Sequence, residues 1–330
     1  MGGATLALSL AIGVLAASPA RSGDLSLTPS LQCSGGWTDN VNGGVEEASM
    51  ARPPVAAPFV LLEPELAIGA TPAAGLRLRA GYRAGLERYN SAAEENAFAH
   101  RVDGSVRVDA GGPAFEAEGS WNRKDYPAGE AALDYRAGRG AVSASLPVGG
   151  DRATTLTAGL AVAQWRWPSD LYPVNAMEAG LAARTDLATT GRAGVRLRFG
   201  RRVIAGVQGI YTASRSHTLV ASSTGPRERF SWTGPGAVVS AGLTPGACTA
   251  VTLAAQVQQR GYRDWLAGDP PARVTGQAVA VLASGSWACS RVITVVLEYA
   301  YLRHDAPDPA LRLRAQRVSL GLRLAPRFSL

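Results

Sequence analysis

The sequence is short of what most soluble enzymes and nucleic-acid binders are built from. Lysine is nearly absent: Lys124 is the only one, so arginine makes the net charge of +7. Those arginines sit singly between apolar residues, whereas a nucleic-acid footprint gathers its charge on one face, and no nucleic-acid partner is expected. Beyond the N-terminus no apolar run approaches the ~18 residues of a transmembrane helix. No helical period is sustained, and with only three Met and six Phe the 330 residues favour one large barrel over two ordinary domains. There is no CxxC pair and no phosphate-cradling glycine motif, so no metal and no cofactor are expected.

What is present is alternation. In Gly75–Arg88 the even positions read Leu76, Leu78, Ala80, Tyr82, Ala84, Leu86, and the odd ones Arg77, Arg79, Gly81, Arg83, Gly85, Glu87. A period of two is a β-strand with one apolar and one polar face. About ten residues of such a strand cross a bilayer when tilted, with lipid against the apolar face and water against the other. A hydrophobic fraction of 46% at a mean hydropathy of +0.02 fits that alternation better than a greasy core.

The rhythm repeats along the chain. Leu25–Trp37 sets Leu25, Leu27, Leu31 and Cys33 against Ser26, Thr28, Ser30, Gln32 and Ser34, and the next strand sets Val60, Leu62, Leu66 and Ile68 against Glu63 and Glu65. Gly191–Phe199 places Val195, Leu197 and Phe199 outward with Arg196 and Arg198 inward, and the last strand opposes Val318, Leu320, Leu322 and Leu324 to Arg317, Ser319, Gly321 and Arg323. Short turns near residues 72, 112, 149, 201, 245 and 289 alternate with longer connections, among them 38–58, 89–99 and 168–190. The expectation is an all-β fold: a transmembrane antiparallel up-and-down β-barrel of about 14 strands, with 12 or 16 (the latter if 177–187 pairs) left open. Short turns then face the periplasm and both termini lie there. Six tryptophans (Trp37, Trp121, Trp165, Trp167, Trp232, Trp265) fall at ends assigned to the outer surface, as an aromatic girdle would, and Trp287 at the other.

Residues 1–20 read as a signal peptide: the apolar run from Leu6 to Ala17 leads to the small-x-small site Ser18-Pro19-Ala20, leaving 21–330 as the barrel. The first strand carries Leu27-Thr-Pro-Ser-Leu31 followed by Gly35-Gly-Trp-Thr-Asp-Asn-Val41. This resembles the opening strand of a family of Gram-negative outer-membrane β-barrel proteins often associated with exopolysaccharide export systems. The resemblance implies a bacterial outer-membrane location, outer-membrane lipid as surroundings, and periplasmic export components as partners. Such barrels usually end in a Phe read by the barrel assembly machinery; here Phe328 is third from the end.

The inward faces give a lumen inventory. Glu63, Glu65, Asp103, Asp109, Glu116 and Glu118 stand around Arg77, Arg79, Arg83 and Arg107, with Glu65 expected near Arg79 and Arg107 near Glu118. Farther round, Arg139, Arg196, Arg198, Arg260, Arg317 and Arg323 have few acids beside them, Glu298 being the main one. An acid-rich wall facing an arginine-rich one would bias passage toward small anions or sugars, in a passive or partner-gated channel. Two alternatives stand beside it, a non-transporting barrel serving adhesion or envelope structure and a barrel-embedded hydrolase. Against catalysis, His100, His217 and His304 fall on well-separated strands with no paired nucleophile and base, so no enzyme activity is expected. Cys248 and Cys289, on neighbouring periplasmic turns, are expected to form a disulfide in that oxidising compartment, leaving Cys33 facing lipid.

Overall fold

The computed structural model describes residues 25–40, 55–127, 134–149, 153–166, 185–216, 219–220, 227–228, 231–262, 274–305, 312–326 and 328–329. The expected signal peptide, most of the 38–58 and 168–190 connections, His217, Trp167 and Trp265 lie outside the described residues. Fourteen strands run up and down the wall: β1 Leu25–Thr38, β2 Ala57–Ala73, β3 Leu76–Tyr89, β4 Ala97–Asp109, β5 Ala114–Asp125, β6 Tyr135–Val148 and β7 Thr154–Arg166. They continue as β8 Thr185–Phe199, β9 Val203–Ser216, β10 Trp232–Gly246, β11 Thr249–Tyr262, β12 Val274–Ala288, β13 Ile293–Asp305 and β14 Leu313–Leu324. Each pairs antiparallel with its sequence neighbours, and β14 pairs with β1 from Leu31↔Leu324 to Thr38↔Arg317, so the sheet has no free edge. Leu219–Val220 and Arg227–Glu228 form a separate two-residue ladder between β9 and β10.

The wall is one sheet thick, and parity decides what each residue meets. Val142, Phe199, Leu320 and Tyr211 are more than half exposed on the outer face, where a bilayer covers them. Even residues of β1 and odd residues of β14 point inward at the seam. There Gly36 and Gly321 have no room for a Cβ: one at Gly36 would meet the Val318 carbonyl, and one at Gly321 the Cys33 carbonyl. Glycine lets the two backbones close the barrel at this tight approach. Beyond β14, Pro326 interrupts the ladder, yet Phe328 pairs with Leu27 in the register already set by Leu324 and Leu31. The last strand therefore resumes past the proline and carries Phe328 to the base of the wall.

Several boundaries differ from the sequence expectation, each for a local reason. The first short turn lies at Ala74–Gly75, past the expected position near 72, after a register shift between Ala70 and Ala73. The β10–β11 hairpin likewise turns at Ala247–Cys248, after a shift between Leu243 and Gly246. Pro72 and Pro245 lie within these shifts and cannot donate to a ladder, which is where bulges form. Gly75, Gly111, Gly149 and Gly200 adopt positive φ, all at the short-turn end. β8 begins at Thr185, so the last six residues of the expected 168–190 connection are strand. Its Thr185-Asp-Leu-Ala-Thr-Thr190 opening has threonine on the outer face and little contrast between faces. The fold has fourteen strands, neither twelve nor sixteen.

The disulfide is not formed: Cys248 and Cys289 are free, exposed thiols, as is Cys33. The two turns do touch, since the Ala288 N–H donates to the Cys248 carbonyl at 2.7 Å. The Cys289 Sγ, in the turn after β12, lies 3.8 Å from the Trp287 carbonyl.

The tryptophans also divide differently. Trp37 and Trp121 face outward at the long-connection end and Trp287 outward at the other. Trp165 and Trp232 have inward parity, and Trp232 is buried in the lumen. The aromatic girdle is thus sparser than strand position alone implies. Parity, not height, decides whether an indole meets lipid.

Candidate functional site

The lumen is the candidate site, and its walls are unlike one another. All seventeen residues read from the sequence as lumen-lining have inward parity in the strand ladders. On the wall from β2 to β6 the charges are paired. Glu65 lies 2.8 Å from Arg83 and 3.6 Å from Arg79, and Glu63 3.9 Å from Arg83. Asp109 meets Arg107 at 3.0 Å and Arg77 at 3.3 Å, and Asp103 meets Arg101 at 3.6 Å. The ladder pairs Arg107 with Glu116, 3.9 Å apart, and not with Glu118, which instead meets Arg139 at 3.3 Å. That corrects the expected Arg107–Glu118 pair by one step of inward residues.

The expected arginine-rich wall separates into paired and open members. Besides Arg139, Arg317 is salt-bridged to Glu87 at 2.6 Å, and Arg323 donates to the Gln32 side-chain oxygen through Nε at 3.0 Å. Arg260 stacks over the Trp232 ring at 4.3 Å, and Glu298 accepts from the Ser319 hydroxyl at 3.4 Å. Arg196 and Arg198 are exposed near the short-turn end, and Arg192 follows the same face of β8. Among the described residues none of these three has an acidic partner. Around them the wall is hydroxylic and apolar: Thr190 bonds Thr212 at 3.0 Å, Gln208 donates to Thr157 at 3.2 Å, and Thr252 bonds Ser284 at 3.3 Å. Leu282, 58% exposed, and Ile204 stand open on the same side of the lumen.

The tightest cluster involves residues the sequence inventory passed over. Glu87, 7% exposed on β3, lies 3.3 Å from Lys124 on β5 and 2.6 Å from Arg317 on β14, and accepts from the Tyr89 hydroxyl at 2.8 Å. Arg317 also stacks over Phe59 at 3.8 Å. Phe59, Tyr89, Ala57 and Ala92 pack together, with the loop after β3 folded inward and Asn96 accepting from the Tyr89 N–H at 2.8 Å. Three strands on either side of the seam are thus tied across the outer end of the lumen. Just past β5, burial pushes the Tyr126 phenol above its ordinary pKa, opposed by the Lys124 ammonium 5.1 Å from its ring. The signal for this cluster was legible: Glu87 is on the charged face of the strand that reveals the pattern, and the chain's only lysine has inward parity on β5.

The histidines stand apart. His100 faces outward, its Nδ1 2.9 Å from the Tyr82 hydroxyl and its ring beside Phe98. His304 is buried on the lumen side with Nε2 2.6 Å from the Tyr262 hydroxyl.

A closed fourteen-stranded barrel with an apolar outside and a charged, hydroxylic inside is a bacterial outer-membrane β-barrel protein. Comparison with solved structures agrees on the fold. The deltaS2 mutant of the TodX monoaromatic hydrocarbon channel superposes over 94% of this chain and 91% of its own, with a TM-score of 0.51 at 10% identity. The outer membrane channel DcaP of Acinetobacter baumannii (7% identity, 93% and 99% covered) gives 0.47, and OmpT of Vibrio cholerae (8% identity, 94% and 99% covered) gives 0.46. No protein-family model and no curated protein matches the chain.

Proposed function

We propose that this barrel is an outer-membrane channel for small anionic or saccharide solutes. The observation that carries the reading is the row Arg192, Arg196 and Arg198 on β8, which faces the lumen with no acidic partner among the described residues. An uncompensated guanidinium row attracts anions, and the Thr, Ser and Gln side chains on β7, β8, β9, β11 and β12 match sugar hydroxyls. The paired charges of β2–β6 act as a rigid, electrically balanced wall opposite. TodX, whose fold this chain shares, is itself a channel. The motif at Gly35–Val41 supports a place beside an exopolysaccharide export system, with periplasmic components as partners.

The refolded protein in a planar bilayer under a KCl gradient is expected to show a reversal potential favouring chloride. Arg196→Glu with Arg198→Glu is expected to invert the preference. An unchanged reversal potential in the double variant would remove the anion reading. A second reading, a non-transporting barrel serving adhesion, is favoured by the Glu87 ion pairs and the Phe59–Tyr89 cluster, which pack side chains together at the outer end of the lumen. Absence of conductance in every preparation would put it ahead.

A further inference from the structure

Among the described strand residues, outward-facing charge stands at one end only. Seven arginines have outward parity on the strands (Arg88, Arg123, Arg136, Arg166, Arg215, Arg303 and Arg314), all within the last few residues at the long-connection end. Among the described residues of the short-turn end, the outward strand positions are uncharged, filled by residues such as Phe115, Leu146, Leu156, Phe199 and Leu322. The apolar belt is therefore bounded by arginine on the side facing the outer leaflet and not on the other.

Three of these arginines form a row. The β5–β6 ladder sets Arg123 directly opposite Arg136, and the β6–β7 ladder sets Arg136 directly opposite Arg166. Strands stand about 4.8 Å apart, so the Cα atoms of the three arginines lie within roughly 10 Å on one face. Like charges placed directly opposite destabilise a sheet. Arg123 is relieved by Asp125 at 2.8 Å, whereas Arg136 and Arg166 have no ion-pair partner among the described residues. The comparable pair Arg303–Arg314 differs, since Arg303 is held by Asp305 at 2.8 Å. An anion with several oxygens is what the β5–β7 row is short of.

The surface beneath the row says what carries that anion. One step toward the midplane the outward residues are Trp121, Gly138 and Gln164, and one step further Gly119, Gly140 and Val162. At Gly138 and Gly140 no atom lies within 4 Å of where a Cβ would stand. The arginine row thus caps a furrow on the lipid face, flanked by Trp121 and Gln164 at Gly138 and opening onto Gly119 beside Gly140, with Val162 on its other side. We propose that this face of β5–β7 binds a phosphate-bearing glycolipid of the outer leaflet, lipid A, with its phosphate on Arg136 and Arg166 and an acyl chain along Gly138 and Gly140. The inference rests on the outer-membrane fold and is independent of what passes through the lumen.

The test is native mass spectrometry of the refolded full-length protein in detergent, titrated with diphosphoryl lipid A, dephosphorylated lipid A or inorganic phosphate. Wild type is expected to hold diphosphoryl lipid A at least about tenfold more tightly than the dephosphorylated form, as two arginines at an anionic headgroup imply. Arg136→Gln with Arg166→Gln is expected to lose that preference. Arg201→Gln with Arg202→Gln, which removes the same charge from a turn at the opposite end, is expected to keep it. Gly140→Leu, with every arginine intact, is expected to weaken lipid A binding by filling the furrow, and it serves where the arginine variant does not fold. Equal affinity for both lipid forms, or equal loss from both arginine pairs, would overturn the proposal. So would lipid A binding unchanged by Gly140→Leu, or inorganic phosphate binding that matches lipid A and needs no acyl chain.

Discussion

Arginine in place of Val142 is expected to cost the folded barrel about 2–4 kcal/mol, the cost of a charge on the lipid face near the midplane. Val142 is the eighth of fourteen residues in β6, 57% exposed on the outer face, with Leu160 opposite it on β7. Its neighbour Ser143 has the opposite parity and faces the lumen, between Glu116 and Gly159. Ser143→Arg places the same charge in a watery setting, with Glu116 on one side and Arg192 across Gly159 on the other, and is expected to leave stability within about 1 kcal/mol of wild type, as ordinary non-core substitutions do. Reversible denaturant titration into lipid vesicles measures both. Equal losses at the two positions would mean that the wall does not separate lipid from water.

Loss of the Glu87 carboxylate is expected to be nearly as damaging. Glu87→Gln keeps the shape but leaves Lys124 and Arg317 facing each other with no anion between them. Removing one partner from a buried charge cluster typically costs 3–5 kcal/mol. Arg317 retains about a third of its exposure, which sets the expectation at the lower end, about 3 kcal/mol. A double-mutant cycle adding Lys124→Met should return part of that loss, because it withdraws the unpaired cation along with the anion. Strict additivity of the two substitutions in the same folding titration would show that the cluster is not coupled. Because Glu87 joins β3 to β5 and to β14 across the seam, its loss should also lower protection of the outer ends of these strands in hydrogen exchange.

The sequence was legible wherever lipid and water enforce a contrast between adjacent residues. From Leu76 to Leu86, and again from Val318 to Leu324, period-two alternation alone gave strand, face and membrane crossing. Glycines at turns gave the short-turn end, and alternation of short and long connections gave an even strand number and the orientation. Where contrast fades the reading failed. Thr185–Thr190 has polar residues on both faces and carries no strand signal in the sequence; the strand start at Ala97, inside the expected 89–99 connection, is hidden likewise, because His100 stands at an outward position there. The outer ends of the strands, where His100, Arg123 and Arg136 face outward, are where the wall leaves the hydrocarbon and meets headgroups, so the rule that charge points inward ceases to hold there.

Parity along one strand therefore determined that this protein is a membrane barrel, because each residue answers only to the medium on its own side of the sheet. Register between strands decided the rest. That Arg107 meets Glu116 and not Glu118, that Glu87 reaches both Lys124 and Arg317, and that Arg123, Arg136 and Arg166 stand in one row all depend on how far each strand slides past its neighbour. The slide is set by prolines, bulges and barrel closure acting over the whole circumference. No single strand carries that information, which is why the partners of the charged residues appeared only with the closed wall.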